Sequence, residues 1–434
     1  MRGDSAEGPT AAAGGAGPAP RHLRRRSPAR RWLLICSASI AAICLVVGGW
    51  AGVGYWSLQN NIRSADLLQP GQSHLAQPAD NAQAADANVN DGPMNILVLG
   101  TDTRAGADSA FGSADDSSGY GNSDVNILVH VAADRKSAVV VSIPRDTMAP
   151  YPGCTDPQTG TTSAPSPAQI INSALKLGGP SCTVRTLEAL TGISIDHFLV
   201  ADFNAVVDLT NTLGGVPVCV NAPINDPLSM LNLPAGTSTI QGQQALAFLR
   251  TRHGFGDGSD LDRIKAQQSF LASMVRKIKA EGTLADIPKL YSIADTVTKN
   301  LTVDKSLASI PALLDLANRL KNIDPANVTF VTAPNEPYVL DPNRVQLQSP
   351  QATDLFHAIA ADTSVTTALG GPTTTASAPA DPSADAAAAS AGAATTGSAT
   401  PVPSASATGT DAGLPAGVSG QTGADSTCQS AYTG

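Results

Sequence analysis

Apolar residues cluster in short uninterrupted runs through the first half of the chain. Asn95-Ile-Leu-Val-Leu-Gly100 is one such run, and it ends in glycine. Asn126-Ile-Leu-Val-His-Val-Ala132 and Ala138-Val-Val-Val-Ser-Ile143 repeat the pattern. Runs of this length without polar alternation predict buried strands. The segment Asp134-Arg-Lys136 between the last two is short enough to turn a hairpin. The periodicity then changes and predicts helices over about 168–178, 183–191 and 203–213, with Gly214-Gly215 as a C-terminal stop for the last. Val216–Val220 is a further strand, Gln241–Thr251 and Asp262–Lys279 are helices, Ser306–Leu320 is another helix, and Asn327–Thr332 a late strand. Strands interleaved with helices predict a layered α/β fold (α-β-α), with a mixed central β-sheet flanked by helices. The sheet is mixed because one hairpin joins connections that are otherwise crossovers.

The ends of the chain follow a different pattern. Trp32 to Gly54 carries no charged residue and follows a basic cluster that includes Arg24, Arg25, Arg26, Arg30 and Arg31. As a helix this stretch would span roughly 34 Å, enough to cross a bilayer. Basic residues before it place the N-terminus in the cytoplasm and the remainder outside, with Trp50, Tyr55 and Trp56 at the outer interface. A cleaved signal peptide is the alternative; the apolar run is long for that, and no clear A-x-A site follows it. The chain thus divides into a disordered cytoplasmic tail (1–31), a transmembrane helix (32–54), an extracytoplasmic stalk (55–91), a folded domain (92–362) and a disordered tail rich in Ala, Ser, Thr and Pro (363–434).

Composition narrows the function classes. The 434 residues carry a net charge of -9 and only 4% aromatics. An acidic, aromatic-poor protein suits neither duplex nor single-stranded nucleic acid. Any phosphate chemistry must then come from a local basic pocket. Cys154, Cys182, Cys219 and Cys428 would face an oxidising exterior, where three pairings are possible. Cys154–Cys182 is favoured because the segment between them is loop-rich; such a bridge contributes roughly 3–4 kcal/mol by loop entropy. The absence of any C-x-x-C spacing, together with scattered histidines, disfavours zinc.

Most of the charges that matter stand just after an apolar run or at a helix end. Leu99-Gly-Thr-Asp-Thr-Arg104 presents Asp102 and Arg104, Ser123-Asp-Val-Asn126 presents Asp124, and Ser142-Ile-Pro-Arg-Asp-Thr147 presents Arg145 and Asp146. Arg250 and Arg252 close one helix, a Gly-rich loop carries Asp257 and Asp260, and Arg263 and Gln267 open the next helix four residues apart. A helix C-terminus favours arginine through its dipole, but Arg263 near a helix start has no such reason to be there. Carboxylates hold hard cations, and guanidinium forks match phosphate oxygens in pairs. The set therefore predicts a metal-assisted site for a phosphorylated substrate, most simply a pyrophosphate.

The motifs NILVLGTDTR, SDVNIL, SIPRDT, INSALKLGG, GISIDHFLVADF, LGGVPV, QALAFLRTRH and GDGSDLDRIKAQQ, in that order, resemble the extracytoplasmic LytR-CpsA-Psr domain, and the layout with Cys154 and Cys182 is similar to its actinobacterial members. The resemblance implies a phosphotransferase that moves a glycopolymer from a polyprenyl-pyrophosphate carrier onto peptidoglycan, at the C6 hydroxyl of a muramic acid. It implies Mg²⁺ (or Mn²⁺) on Asp102 and Asp124, and pyrophosphate held by Arg145, Arg250, Arg252 and Arg263, with Arg104 beside them and Gln267 adding a polar contact. Asp260 would orient the arginines or take a proton, so that Arg145, Asp260 and Arg263 form the catalytic group. The implied partners are the lipid-linked glycopolymer, peptidoglycan and membrane lipid, and no nucleic acid. The family often has Gly where Asp262 stands, and a basic residue where Ala266 stands. A polyprenyl-pyrophosphate pyrophosphatase and a non-catalytic polymer binder are the competing readings.

Overall fold

The computed structural model describes residues 28–76, 92–104, 119–281, 287–363, 365 and 420–432. The chain falls into two compact units, Met1–Trp56 and Ser57–Gly434. In the first, every described residue is helical and belongs to α1 (Pro28–Asn61). Its Trp32, Leu33, Ile40, Leu45 and Trp50 are exposed rather than packed. Among the described residues, one helix is long and apolar enough to cross a membrane, Ile35–Asn61.

The second unit begins with β1 (Arg63–Ala65), β2 (Met94–Thr101), β3 (Ser123–Val131) and β4 (Ala138–Ile143). Short strands β5 (Met148–Tyr151), β6 (Cys154–Thr155), β7 (Thr162–Ser163) and β8 (Ser166–Ile170) lead to helix α2 (Asn172–Thr191). Then come β9 (His197–Ala201), α3 (Phe203–Thr212), β10 (Val216–Val220), β11 (Ile224–Asp226), β12 (Leu231–Leu233), β13 (Gly236–Ile240) and α4 (Gly242–Arg250). Next are α5 (Asp260–Ala280), α6 (Ile287–Asn300), β14 (Leu301–Asp304), α7 (Ile310–Leu320) and β15 (Val328–Thr332). The hairpin β16 (Asn335–Tyr338) and β17 (Asp341–Leu347), helix α8 (Gln351–Ala360) and β18 (Gly420–Thr422) complete the unit.

One eight-stranded sheet runs β1-β14-β9-β2-β3-β4-β15-β18. It is mixed, as expected: β2, β3 and β4 pair antiparallel, whereas β9 and β15 flank them in parallel. Arg135 turns the β3–β4 hairpin with φ 56°. Side chains alternate across the sheet. Leu97, Leu99, Leu128, Val141 and Ile143 pack with Leu175 and Leu187 of α2 and Leu355 and Phe356 of α8. Ile96, Ile127, Val140 and Phe330 on the opposite face pack with Ala272 of α5. A third cluster joins β10–β13 to α4 and α5 around Phe248 and Phe270.

Two boundaries differ from expectation. Residues 57–76 do not form a free stalk: β1 adds to the edge of the sheet beside β14, and Leu67 and Leu68 pack on the core. The last part of the expected tail also returns to the fold. There β18 pairs with β15, and Cys428 bonds Cys219 across 209 residues. Polar composition concealed this, because a short edge strand draws its stability from the partner it pairs with. The expected Cys154–Cys182 bridge is present, with Cα atoms 5.9 Å apart. The tail 1–27, the rest of the stalk (77–91) and most of the C-terminal tail (366–419) lie outside the described residues.

Candidate active site

Antiparallel pairing brings the three charged presentations to one end of the sheet. Thr101 at the end of β2 lies opposite Ser123 at the start of β3, and Ile143 at the end of β4 lies opposite Asn126. Asp102, Asp124, Arg145 and Asp146 therefore converge although they are spread over more than forty residues of chain. A register shift at Gly100/Thr101 turns β2 out of the ladder just before Asp102. Glycine is required there, since a Cβ on Gly100 would lie 2.9 Å from the Val125 Cβ. Strand β9 ends at the same place and delivers α3, capped by the Asp202 carboxylate on the Ala205 N–H at 2.8 Å.

Helices α4 and α5 supply the other half of the site. Arg145 Nη1 donates to Asp124 Oδ1 at 2.6 Å, and its Nε lies 3.5 Å from Asp146 Oδ2 and 3.8 Å from Asp260 Oδ1. The same Asp260 oxygen accepts from Arg263 Nη2. Gln267 Nε2 donates to the Leu249 carbonyl at 3.1 Å, tying α5 to the last turn of α4. Arg250 stacks on the ring of Phe203, 4.7 Å from its centroid. Asp102 accepts from the Asn122 backbone N–H at 2.7 Å and from its side chain at 3.3 Å.

Burial and charge act against each other across this network. Burial opposes the charge on Arg145, yet Asp124, Asp146 and Asp260 outweigh it and hold its pKa above the ordinary guanidinium value. Burial lowers Arg263, with Asp260 opposing, and Arg145 and Arg252 adding repulsion. Burial and the neighbouring Arg104 lower Arg250, against the pull of Asp124 and Asp102. Burial raises Asp260 despite Arg263 and Arg145. Arg145 Nε, Arg263 Nε and Asp260 Oδ2 are buried without a hydrogen-bond partner. A native structure tolerates such groups where a ligand or a proton is to be received.

A cavity of about 400 Å³ opens beside these groups. Val98, Val125, Phe203, Val206, Leu249 and Leu271 form its apolar walls between the sheet and helices α3, α4 and α5. Asp124, Arg250, Arg252, Arg263 and Gln267 line the same cavity, and Arg250 and Arg252 are exposed. Of the expected residues, Asp124, Arg250, Arg252, Arg263 and Gln267 share this opening, whereas Arg145 and Asp260 line a much smaller pocket that also includes Asp124 and Gln267. Asp102 and Arg104 make themselves felt through their charge on Arg250. Among the described residues, no group of three or more His, Cys, Asp or Glu side chains is placed to hold a metal ion.

Three residues of the site were not legible beforehand. Arg344 of β17 donates to Asp146 Oδ1 at 2.8 Å and extends the ion-pair chain to Arg145. Nothing in its local sequence marks it, because the contact spans 198 residues. Buried Asp226 accepts from the hydroxyl of buried Thr251 and fixes the residue between Arg250 and Arg252. Asp262, where the family often has Gly, accepts the Asp257 N–H on Oδ2 at 2.9 Å and pairs with Lys265 through Oδ1 at 3.0 Å. It braces the Gly-rich loop.

A mixed-sheet α/β domain with an arginine-lined, apolar-walled cavity is the class of protein defined so far. Residues 66–360 match the LytR_cpsA_psr family, and the chain belongs to it. It is 33% identical over 272 residues to the cell wall biosynthesis protein LcpA of Corynebacterium glutamicum, a match that covers 57% of this chain and about half (51%) of LcpA. It is 26% identical over 333 residues to the polyisoprenyl-teichoic acid–peptidoglycan teichoic acid transferase TagT of Bacillus subtilis, covering 75% of this chain and 94% of TagT. Among solved structures it is similar to a LytR-Csp2A-Psr enzyme from Actinomyces oris, at 20% identity and a TM-score of 0.49, over 69% of this chain and 96% of that one.

Proposed function

We propose that this chain is a membrane-anchored, extracytoplasmic phosphotransferase of wall assembly. It moves a glycopolymer from a polyprenyl-pyrophosphate carrier to a peptidoglycan hydroxyl, the C6 hydroxyl of muramic acid. The observation that carries this reading is the cavity, which joins an apolar wall to Arg250, Arg252 and Arg263 in one space. A lipid-linked pyrophosphate has that same division: an apolar chain ending in a compact dianionic group. The relative TagT is named for this class of transfer. The α1 segment Ile35–Asn61 supports the anchor, and two disulfides suit an oxidising exterior.

The acceptor hydroxyl attacks the phosphorus bonded to the glycan. The bond from that phosphorus to the bridging oxygen breaks, and polyprenyl phosphate departs with the oxygen. The hydroxyl proton passes to a base, for which Asp260 is suited: burial raises its pKa and its Oδ2 has no hydrogen-bond partner. Arg145 and Arg263, held by Asp124 and Asp260, set guanidinium charge against the charge gathering on the phosphates. Arg250 and Arg252 hold the outer phosphate, and Gln267 keeps the two helices in register.

Asp102 and Asp124 fit a hard divalent cation such as Mg²⁺ by the chemistry of their donors. Both carboxylates lie near enough to Arg250 to act on its charge, and Asp124 lines the cavity beside it. Two carboxylates are few for zinc but suit Mg²⁺, which keeps waters and shares phosphate oxygens. Bound there, the ion would neutralise phosphate charge. The test is release of polyprenyl phosphate from a synthetic lipid-linked glycan by the full chain in detergent. Loss of release on chelation, restored by Mg²⁺ but not in Asp102→Ala/Asp124→Ala, is expected. Full activity in chelator would remove the metal from the account.

A further inference from the structure

The loop Arg252–Ser259 connects Arg252 to Asp260 and Arg263, so its shape sets how these groups face one another. It has little internal bonding: Gly258 N–H to the Phe255 carbonyl at 2.9 Å, the brace from Asp262, and Ser259 N–H to Asp257 at 2.8 Å. Its outer edge is held by residues from the far end of the chain. Gly256 N–H donates to the Ser430 carbonyl at 3.0 Å, and Tyr432 N–H donates to the Gly254 carbonyl at 3.0 Å. Phe255 and Ala431 form an antiparallel bridge between them.

The other side of this terminal segment is anchored to β10. Gln429 N–H donates to the Cys219 carbonyl at 2.9 Å, Asn221 N–H to the Gln429 carbonyl at 3.0 Å, and Ala431 N–H to Asn221 Oδ1 at 2.9 Å. Residues 429–432 are therefore strung between β10 and the arginine loop. Cys428, immediately before them, is bonded to Cys219. Ala431 is buried in the cluster that contains Phe248 and Phe255. The Tyr432 ring lies against Gly258, whose φ of +83° favours glycine; a Cβ there would sit 3.4 Å from the ring and 3.3 Å from the Arg252 carbonyl.

The geometry points to residues 429–432 as a positioning strap for the phosphate site. The strap holds the Arg252–Ser259 loop in the shape that sets Arg252 against Asp260 and Arg263, and the Cys219–Cys428 bond fixes its register. This rests on the phosphate-binding reading of the site. The strap acts through its backbone hydrogen bonds and the Tyr432 ring, so Tyr432→Ala, which keeps the N–H but loses the ring beside Gly258 and His253, should weaken phosphate binding less than Tyr432→Pro, which also removes the donor to Gly254.

The experiment compares the full chain in detergent with a chain ending at Cys428 and with both Tyr432 variants. Amide exchange of residues 253–258 and affinity for inorganic pyrophosphate are read on each. The truncated chain should keep β18, the disulfide and a near-normal melting temperature. Its loop amides should exchange on the order of a hundredfold faster, and pyrophosphate should bind about tenfold more weakly because the site is no longer preorganised. If truncation prevents folding, the contrast between Tyr432→Pro and Tyr432→Ala carries the test alone. Unchanged loop exchange would overturn the proposal, as would faster exchange with unchanged pyrophosphate affinity, which would make the strap mere packing. A wild-type chain that binds no pyrophosphate would overturn the phosphate site itself, and the strap's role with it.

Discussion

Arg145 is surrounded by Asp124, Asp146 and Asp260, and that surplus of carboxylate keeps it charged despite burial. On the proposed reading, a substrate phosphate would compete with these carboxylates for a guanidinium whose Nε makes ion pairs but no hydrogen bond. Arg145→Ala should lower kcat by about 10²–10³, the usual effect of deleting one preorganised donor at a developing anion, with the melting temperature little changed. Arg145→Lys should rescue only part of the loss, because a point charge cannot replace the fork. Asp260 gives the pH dependence. Burial raises its pKa, so in the free enzyme the proton is lost above the ordinary Asp value of about 3.9. As the acting base it must be ionised, so kcat/KM should rise with pH through a limb displaced above that value. Asp260→Asn should remove the limb and lower kcat by about 10²–10⁴. A limb that persists in Asp260→Asn would assign the base elsewhere.

At the scale of elements, the break in α2 has a specific cause. Gly178 and Gly179 have non-helical backbone angles inside the helix, followed by Pro180. A Cβ on Gly178 would lie 2.5 Å from the Cys154 Cβ and 2.7 Å from the Cys182 Cβ. The break therefore makes room for the Cys154–Cys182 bridge against the helix. Gly178→Ala should destabilise the protein by about 1–3 kcal/mol through overpacking. A fall of several degrees in melting temperature under oxidising conditions would show it, and an unchanged value would mean that the helix can shift aside. Helix α5 is the counterpart on the other face of the sheet. Ser259 caps it on the Asp262 N–H, and Asp260 and Asp262 occupy its first turn, where the dipole favours acidic groups. Arg263 is tolerated so near the start because Asp260, three residues before it, takes up its charge.

Across the whole molecule, what could be read in advance was what is local. The apolar runs of β2, β3 and β4 announce strands buried on both faces, and the charges just beyond them announce a site at one end of the sheet. The mixed α/β architecture follows from the same pattern. Short edge strands were not legible: β1 and β18 have polar sequences and become strands through β14 and β15. The partner of Cys219 could not be read either, because 209 residues separate it from Cys428 and only the folded chain brings them together. Arg344 and the Asp226–Thr251 pair escaped notice for the same reason. Arg344 and the Asp226–Thr251 pair both brace the arginine site, so the site depends on long-range contacts that motif spacing does not reveal.

Transfer is tested most directly by following the glycan. The full chain is incubated in detergent with Mg²⁺, a labelled polyprenyl-pyrophosphate glycan and uncrosslinked peptidoglycan. The account predicts label joined to peptidoglycan through a phosphodiester, with one polyprenyl phosphate released per glycan attached, and neither product in Arg145→Ala. Release of polyprenyl phosphate with the glycan left unattached would contradict it and make the protein a pyrophosphatase.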